Sequence, residues 1–170
     1  YGEGKQAKNL ERLSLEAKVY FSLVKCIDDE IGRVLNALDE EGLTDNTLVI
    51  FAADHGEMMG SHGRMAKGVI YDEALLVPFI MRYPAQLKPQ INDLMIGAQD
   101  IMPTLLGMLG LADRLPDTVK GKNYSQGILT GDFGSVQKPQ SSFYFMLKEK
   151  GVRTDRYSYA VSYTHLTLPT

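Results

Sequence analysis

The chain has 170 residues, with 18 Lys+Arg against 21 Asp+Glu, one cysteine, no tryptophan, 44% hydrophobic and 23% charged positions. This length points to one domain, and the mix excludes a wholly disordered chain and collagen-like or coiled-coil fibres. A net charge of −3 and a lone Cys26 exclude a basic nucleic-acid surface and an internal disulfide, and no apolar run approaches the roughly 20 residues of a membrane span.

The first residues, Tyr1 to Lys5, lack an initiator Met and the apolar core of a signal peptide, and positions 1–18 read as a polar loop. Tyr20, Leu23, Val24, Ile27, Ile31, Val34 and Leu38 then recur at steps of three and four. That spacing predicts a helix over 19–41 with Asp28, Asp29 and Glu30 on its solvated side and Cys26 as an inert, half-buried thiol. Gly42 stops the helix. Positions 47–52, Thr-Leu-Val-Ile-Phe-Ala, form a continuous apolar run that predicts a strand buried on both faces, as in a parallel sheet. A glycine-rich loop over 53–73 follows, then a strand over 77–82 with Pro78 at its start or at a sheet edge. Asp100 caps a predicted helix over 100–109 that has Pro103 in its first turn and Gly110 as its stop. Positions 111–140 read as a long connection, and 143–161 as a late hairpin. Strands alternating with helices indicate an α/β layered domain over 1–160, with 161–170 as a non-native or disordered tail.

Chemistry concentrates in the loop over 53–73. Asp54 and His55 leave the end of a buried strand, where open α/β sheets bind ligands. A carboxylate oxygen and an imidazole nitrogen both bind divalent cations, and Gly56 lets the backbone turn closely around them. Lys67 lies 67 − 54 = 13 residues after Asp54, with His62 between them. A metal edge facing a lysine makes an electropositive pocket for a sulfate or phosphate ester. Taken singly, each residue has a plainer reading. Asp54 and His55 fit a strand-end turn with a capping Asp, His62 a surface histidine, and Lys67 a solvated cation.

The set of motifs decides between these readings. Thr47 to Pro84, TLVIFAADHGEMMGSHGRMAKGVIYDEALLVPFIMRYP, resembles the type I sulfatase family of the alkaline phosphatase-like superfamily. The resemblance rests on Asp54-His55-Gly56-Glu57, Gly60-Ser61-His62-Gly63, Lys67, Tyr71-Asp72-Glu73 and Val77-Pro78-Phe79-Ile80, all in the family's order. Ile27 to Val34, Gln99 to Leu106 and Val152 to Tyr157 resemble its flanking landmarks, so the likeness runs from about position 20 to 161. It implies an alkaline phosphatase-like sandwich: a mainly parallel central sheet flanked by helices, here incomplete. It also implies Asp54 and His55 as the second pair of metal ligands, around a calcium ion. Lys67 matches the lysine that contacts the sulfate and the leaving oxygen, and His62 and Arg64 share its loop and touch substrate in this reading. Glu57 and Glu73 are taken as supports that fix His55 or the loop.

The family nucleophile, a formylglycine made from Cys or Ser in Cys/Ser-x-Pro/Ala-x-Arg, has no match here. Cys26 is followed by Ile27-Asp28-Asp29-Glu30, and Ser61-His62-Gly63-Arg64-Met65 fails at its third and fifth positions. The first pair of acidic ligands is also absent, so the chain is expected to be an internal fragment, inactive alone, with the formylglycine upstream. The last ten residues fit the family poorly, and His165 is assigned no function. The expected substrate is a sulfated small molecule or glycan, without nucleic-acid partners or a transmembrane segment. Family analogy points to a periplasmic or extracellular setting. Two other readings stay open: a phosphodiesterase or phosphonate monoester hydrolase on the same metal frame, and a sulfatase-like protein that binds without cutting.

Overall fold

The computed structural model describes residues 5–6, 10–145 and 149–162. Most of the expected tail, 163–170 with His165, lies outside the described residues. The chain divides into two compact units, Tyr1–Ala85 and Gln86–Thr170, where composition alone pointed to one domain.

In the first unit, β1 (Lys5–Gln6) precedes helix α1 (Leu10–Glu40). The helix begins at Leu10 instead of position 19. The stretch expected as a loop is built from Leu, Glu, Arg, Lys and Ala, which favour helix strongly, and Arg12 pairs with Glu16 one turn on at 2.7 Å. Its end is set by Gly42 at φ +66°. Leu43 N–H donates to Leu38 O and Gly42 N–H to Asp39 O, so a left-handed residue closes the last turn. Asp28 and Asp29 are solvent-exposed as expected, but so are Leu23, Val24 and Ile27 of the predicted apolar stripe. Cys26 is exposed too, contrary to the half-buried expectation, because it lines an open groove.

Strand β2 (Val49–Ala52) pairs with a later strand, β4 (Phe79–Arg82), in the register Val49↔Arg82 to Ala52↔Phe79. The pairing is antiparallel, and β2 has no parallel neighbour among the described residues. Nor is β2 covered on both faces, since Phe51 is 38% exposed and its partner Ile80 60%. A two-stranded pair leaves apolar surface that a wider sheet would cover. One side of α1 meets β2 across a groove of about 420 Å³ lined by Ile27, Ile31, Leu35, Val49 and Phe51 among others. Between the two strands come β3 (Arg64–Met65), which pairs antiparallel with β1, and the single-turn helix α2 (Asp72–Leu75). The core under this segment is Met58, Val69 and Ala74, with Tyr71 packed against it.

The second unit holds α3 (Ala98–Met108), α4 (Ser125–Thr130) and the antiparallel sheet β5 (Ser142–Phe145), β6 (Glu149–Arg153), β7 (Ser158–Ser162). The expected long connection therefore contains a helix, and the late hairpin gains a middle strand. Asp100 is the third residue of α3, not the residue before it. Its buried carboxylate reaches back to Gly97 N–H at 3.1 Å and across to Lys122 N–H at 2.9 Å. Thr104, also buried, accepts from Tyr124 N–H at 3.1 Å and donates to Lys122 O at 3.3 Å. Positions 121–124 are thus pinned to α3 by two side chains one helical turn apart. Gly121 permits the contact, since a Cβ there would stand 1.8 Å from Gln99 O.

Asp100→Ala leaves two backbone N–H groups without their charged acceptor, so we expect a loss of about 2–4 kcal/mol in denaturant unfolding. Asp100→Asn, which keeps one acceptor oxygen, is expected to cost less. Burial first, and the Asp100 carboxylate second, push the Tyr124 phenol above its ordinary range. The folded state then holds that proton more tightly than the unfolded chain. Its contribution to stability is full below about pH 10 and is lost as pH rises beyond it, which an alkaline unfolding titration reads.

Candidate active site

Strand β2 delivers Asp54 and His55 two and three residues past its last paired position. The chain turns back at once, because Gly56 lies flat against the α2 turn. Gly56 N–H donates to Ala74 O at 2.9 Å, and a Cβ on Gly56 would stand 1.9 Å from Glu73 O. No side chain fits there, so a glycine is required by contact and not by its φ.

The imidazole of His55 is oriented at both nitrogens. Nδ1 stands 2.9 Å from Gly56 O, and a carbonyl can only accept, so Nδ1 carries the proton. The other nitrogen, Nε2, then presents a lone pair in the neutral ring. Lys67 Nζ donates to it at 2.7 Å, and Asp54 Oδ2 stands 3.3 Å from it. Two ligands roughly 2.3 Å from one cation and at right angles to each other stand about 3.3 Å apart, so this oxygen and nitrogen have the spacing of one edge of a coordination shell. Among the described residues no group of three or more His, Cys, Asp or Glu side chains converges as a metal site. Asp54 and His55 therefore fit part of a shell, and other ligands must complete it. The Asp54 side chain is 85% exposed, open to such a completion.

The loop that returns Lys67 to His55 is tightly curled. Met59, Gly60, His62, Gly63, Ala66 and Gly68 all have positive φ, and three of them are not glycine. Each non-glycine residue in that region costs about 1 kcal/mol or more, so the curl persists only where other contacts enforce it. Met58 anchors its base, 1% exposed in the core, with its N–H on Ala66 O at 2.9 Å. Gly60 N–H donates to Arg64 O at 2.8 Å. The Glu57 carboxylate accepts from the Ala66 and Met59 N–H groups.

The structure thus brings Asp54, His55 and Lys67 together. His62 is held by different partners. Its ring stacks on Tyr71 with centroids 4.0 Å apart and 12° between planes, and its Nε2 stands 3.7 Å from Glu73 Oε1. Arg64 lies 6.0 Å from the centre of the same Tyr71 ring. Tyr71 carried no sequence signal beyond its place before Asp72-Glu73, because a stack across nine positions depends on the curl between them.

The sulfatase family model matches residues 3–111, and the model for N-sulphoglucosamine sulphohydrolase, C-terminal, matches 60–167. The chain belongs to the sulfatase family. It is 34% identical to an endo-4-O-sulfatase of Bacteroides thetaiotaomicron over 161 residues, covering 85% of this chain and 32% of that protein. A Bacteroides fragilis structure assigned as a sulfatase superposes with a TM-score of 0.77 at 36% identity, covering 85% of this chain and 32% of the other. The phosphonate monoester hydrolase of Agrobacterium radiobacter superposes equally well, at TM-score 0.77 and 27% identity, covering 92% and 34%. This sulfatase chain therefore has the alkaline phosphatase-like fold over about a third of the length of the relatives it matches.

Gly56→Ala tests the turn on which the site is built. We expect a loss of about 1–3 kcal/mol in unfolding free energy, from displacement of the Glu73 carbonyl.

Proposed function

We propose that this chain carries part of the active site of an enzyme hydrolysing sulfate esters on carbohydrate or aryl groups, and that sequence outside it supplies the rest. The observation that carries the reading is that Lys67 Nζ and Asp54 Oδ2 stand 2.7 and 3.3 Å from the same nitrogen, Nε2 of His55. A cation held partly by Asp54 and His55, calcium in this reading, and a formylglycine from outside this chain supply the Lewis acid and the nucleophile. The chain's own contribution is charge and position. Lys67 presents a compact ammonium beside the metal edge, where it binds an ester oxygen and stabilises the charge that grows on the leaving oxygen. His55 Nε2 has a single lone pair, so a bound cation takes the place of the Lys67 proton there and leaves the ammonium beside the metal edge for the ester. His62 and Arg64 lie on the neighbouring Tyr71 stack, from which they reach the substrate beyond the sulfate.

The similarity to a phosphonate monoester hydrolase supports a second reading, phosphoryl or phosphonyl ester hydrolysis on the same frame. A Cys-x-Pro-Ser-Arg motif in the complete protein favours the sulfatase reading, and a plain Thr at that position favours the other.

In the complete protein, Lys67→Ala should lower kcat/KM on an aryl sulfate by two or more orders of magnitude; an unchanged value removes the role given to Lys67. With two cation ligands among the described residues, this chain by itself should bind calcium too weakly to raise its melting temperature. A large calcium-dependent rise contradicts that division of the site.

A further inference from the structure

We propose that Glu57 is a positioning residue: its carboxylate holds the left-handed backbone of the 59–66 loop and thereby delivers the Lys67 ammonium to His55. This rests on the reading of Lys67 as the group that meets the ester.

Glu57 follows Asp54-His55-Gly56 directly, a place from which a carboxylate could orient the imidazole. The structure gives it another task. Both His55 nitrogens are already engaged, Nδ1 by Gly56 O and Nε2 by Lys67 and Asp54. Glu57 Oε1 instead accepts the backbone N–H of Ala66 and, at 3.4 Å, that of Met59. These two donors belong to residues at φ +66° and +45°, two of the three non-glycine residues of the loop in the left-handed region. One oxygen therefore gathers the two strained ends of the loop onto a single point.

The consequence falls on Lys67 because Ala66 immediately precedes it. The conformation of Ala66 sets the direction in which the chain leaves the loop, and a lysine stem begins at the next Cα. An ionised carboxylate makes a short, strong bond to a backbone N–H, which suits it to holding a conformation that Ala66 does not prefer. Without it, Ala66 is free to return to an ordinary φ, and the ammonium leaves its place beside Asp54 and His55. A displacement of about 1 Å at a reacting group is enough to cost about a hundredfold in rate.

The test is a double-mutant cycle in the complete protein, with an aryl sulfate ester as substrate and melting temperature recorded beside kcat and KM. Glu57→Ala should lower kcat by about 30–100-fold with KM changed by less than about threefold, because the lost contact acts on the transition state. In the Lys67→Ala background the same substitution should cost less than about threefold, since the group being positioned is gone. Glu57→Gln keeps the acceptor oxygen and should recover to within about threefold of the parent protein. Should Glu57→Ala fail to fold, Glu57→Asp keeps the charge, withdraws the oxygen by one methylene and is read against Lys67→Ala in the same way. An equal loss with and without Lys67 overturns the positioning role while leaving Lys67 in place. A parent-like Glu57→Ala also overturns it. A Lys67→Ala protein with full activity overturns the site reading and this proposal together.

Discussion

The contact on which the first unit depends is backbone against backbone: Gly56 seated on the α2 turn. It ends the strand's run, points Asp54 and His55 out of the same turn, and ties them to the segment that closes the loop. The chain that follows has to return to that point by Glu73 and Ala74. The returning loop meets the constraint by accepting a left-handed backbone at six positions, three of them without the freedom of glycine. The buried Met58 and the Glu57 carboxylate offset that cost, and Lys67 reaches His55 as a result. Packing, strain and the geometry of the candidate site are one problem with one solution here.

The second unit uses a similar device. Asp100 and Thr104 lay polar atoms under the backbone of 121–124 much as Glu57 does under the 59–66 loop. In both places a largely irregular segment borrows hydrogen-bond partners from a side chain fixed elsewhere. This satisfies backbone groups that would otherwise be orphaned near a core. It also explains why small residues recur beside these carboxylates. The segment has to come close, and Gly121 lets it approach within reach of Gln99 O.

Much of this was legible in the sequence, for identifiable reasons. A six-residue β-branched and aromatic run followed by Asp-His-Gly announces a strand that ends in a site, and the motif order through Pro84 carries the family resemblance. Lys67 belongs beside His55 by that resemblance alone. The rest was hidden because it depends on partners distant in sequence or on unfavoured conformations. The antiparallel partner of β2 is a tertiary choice that an apolar run cannot express. The first nine residues of α1 carry helix-forming composition but a weak apolar stripe, and periodicity overlooks them. The helix over Ser125–Thr130 and the strand over Glu149–Arg153 are short and rich in polar residues or glycine. The stack of His62 on Tyr71 follows from backbone angles at Met59, His62 and Ala66 that these residues rarely adopt.

Helix α1 has a bearing on how the chain behaves in water. Its 31 residues make a rod about 46 Å long at ~1.5 Å per residue. Phe21, Leu15 and Val34 on it are each at least 60% exposed. Wetting such a surface costs free energy, and salts that are excluded from protein surfaces raise that cost. Sulfate and phosphate are two such salts. Ammonium sulfate at the concentrations used for fractionation would therefore draw copies of this chain together through the helix, while its net charge of −3 offers little repulsion to keep them apart.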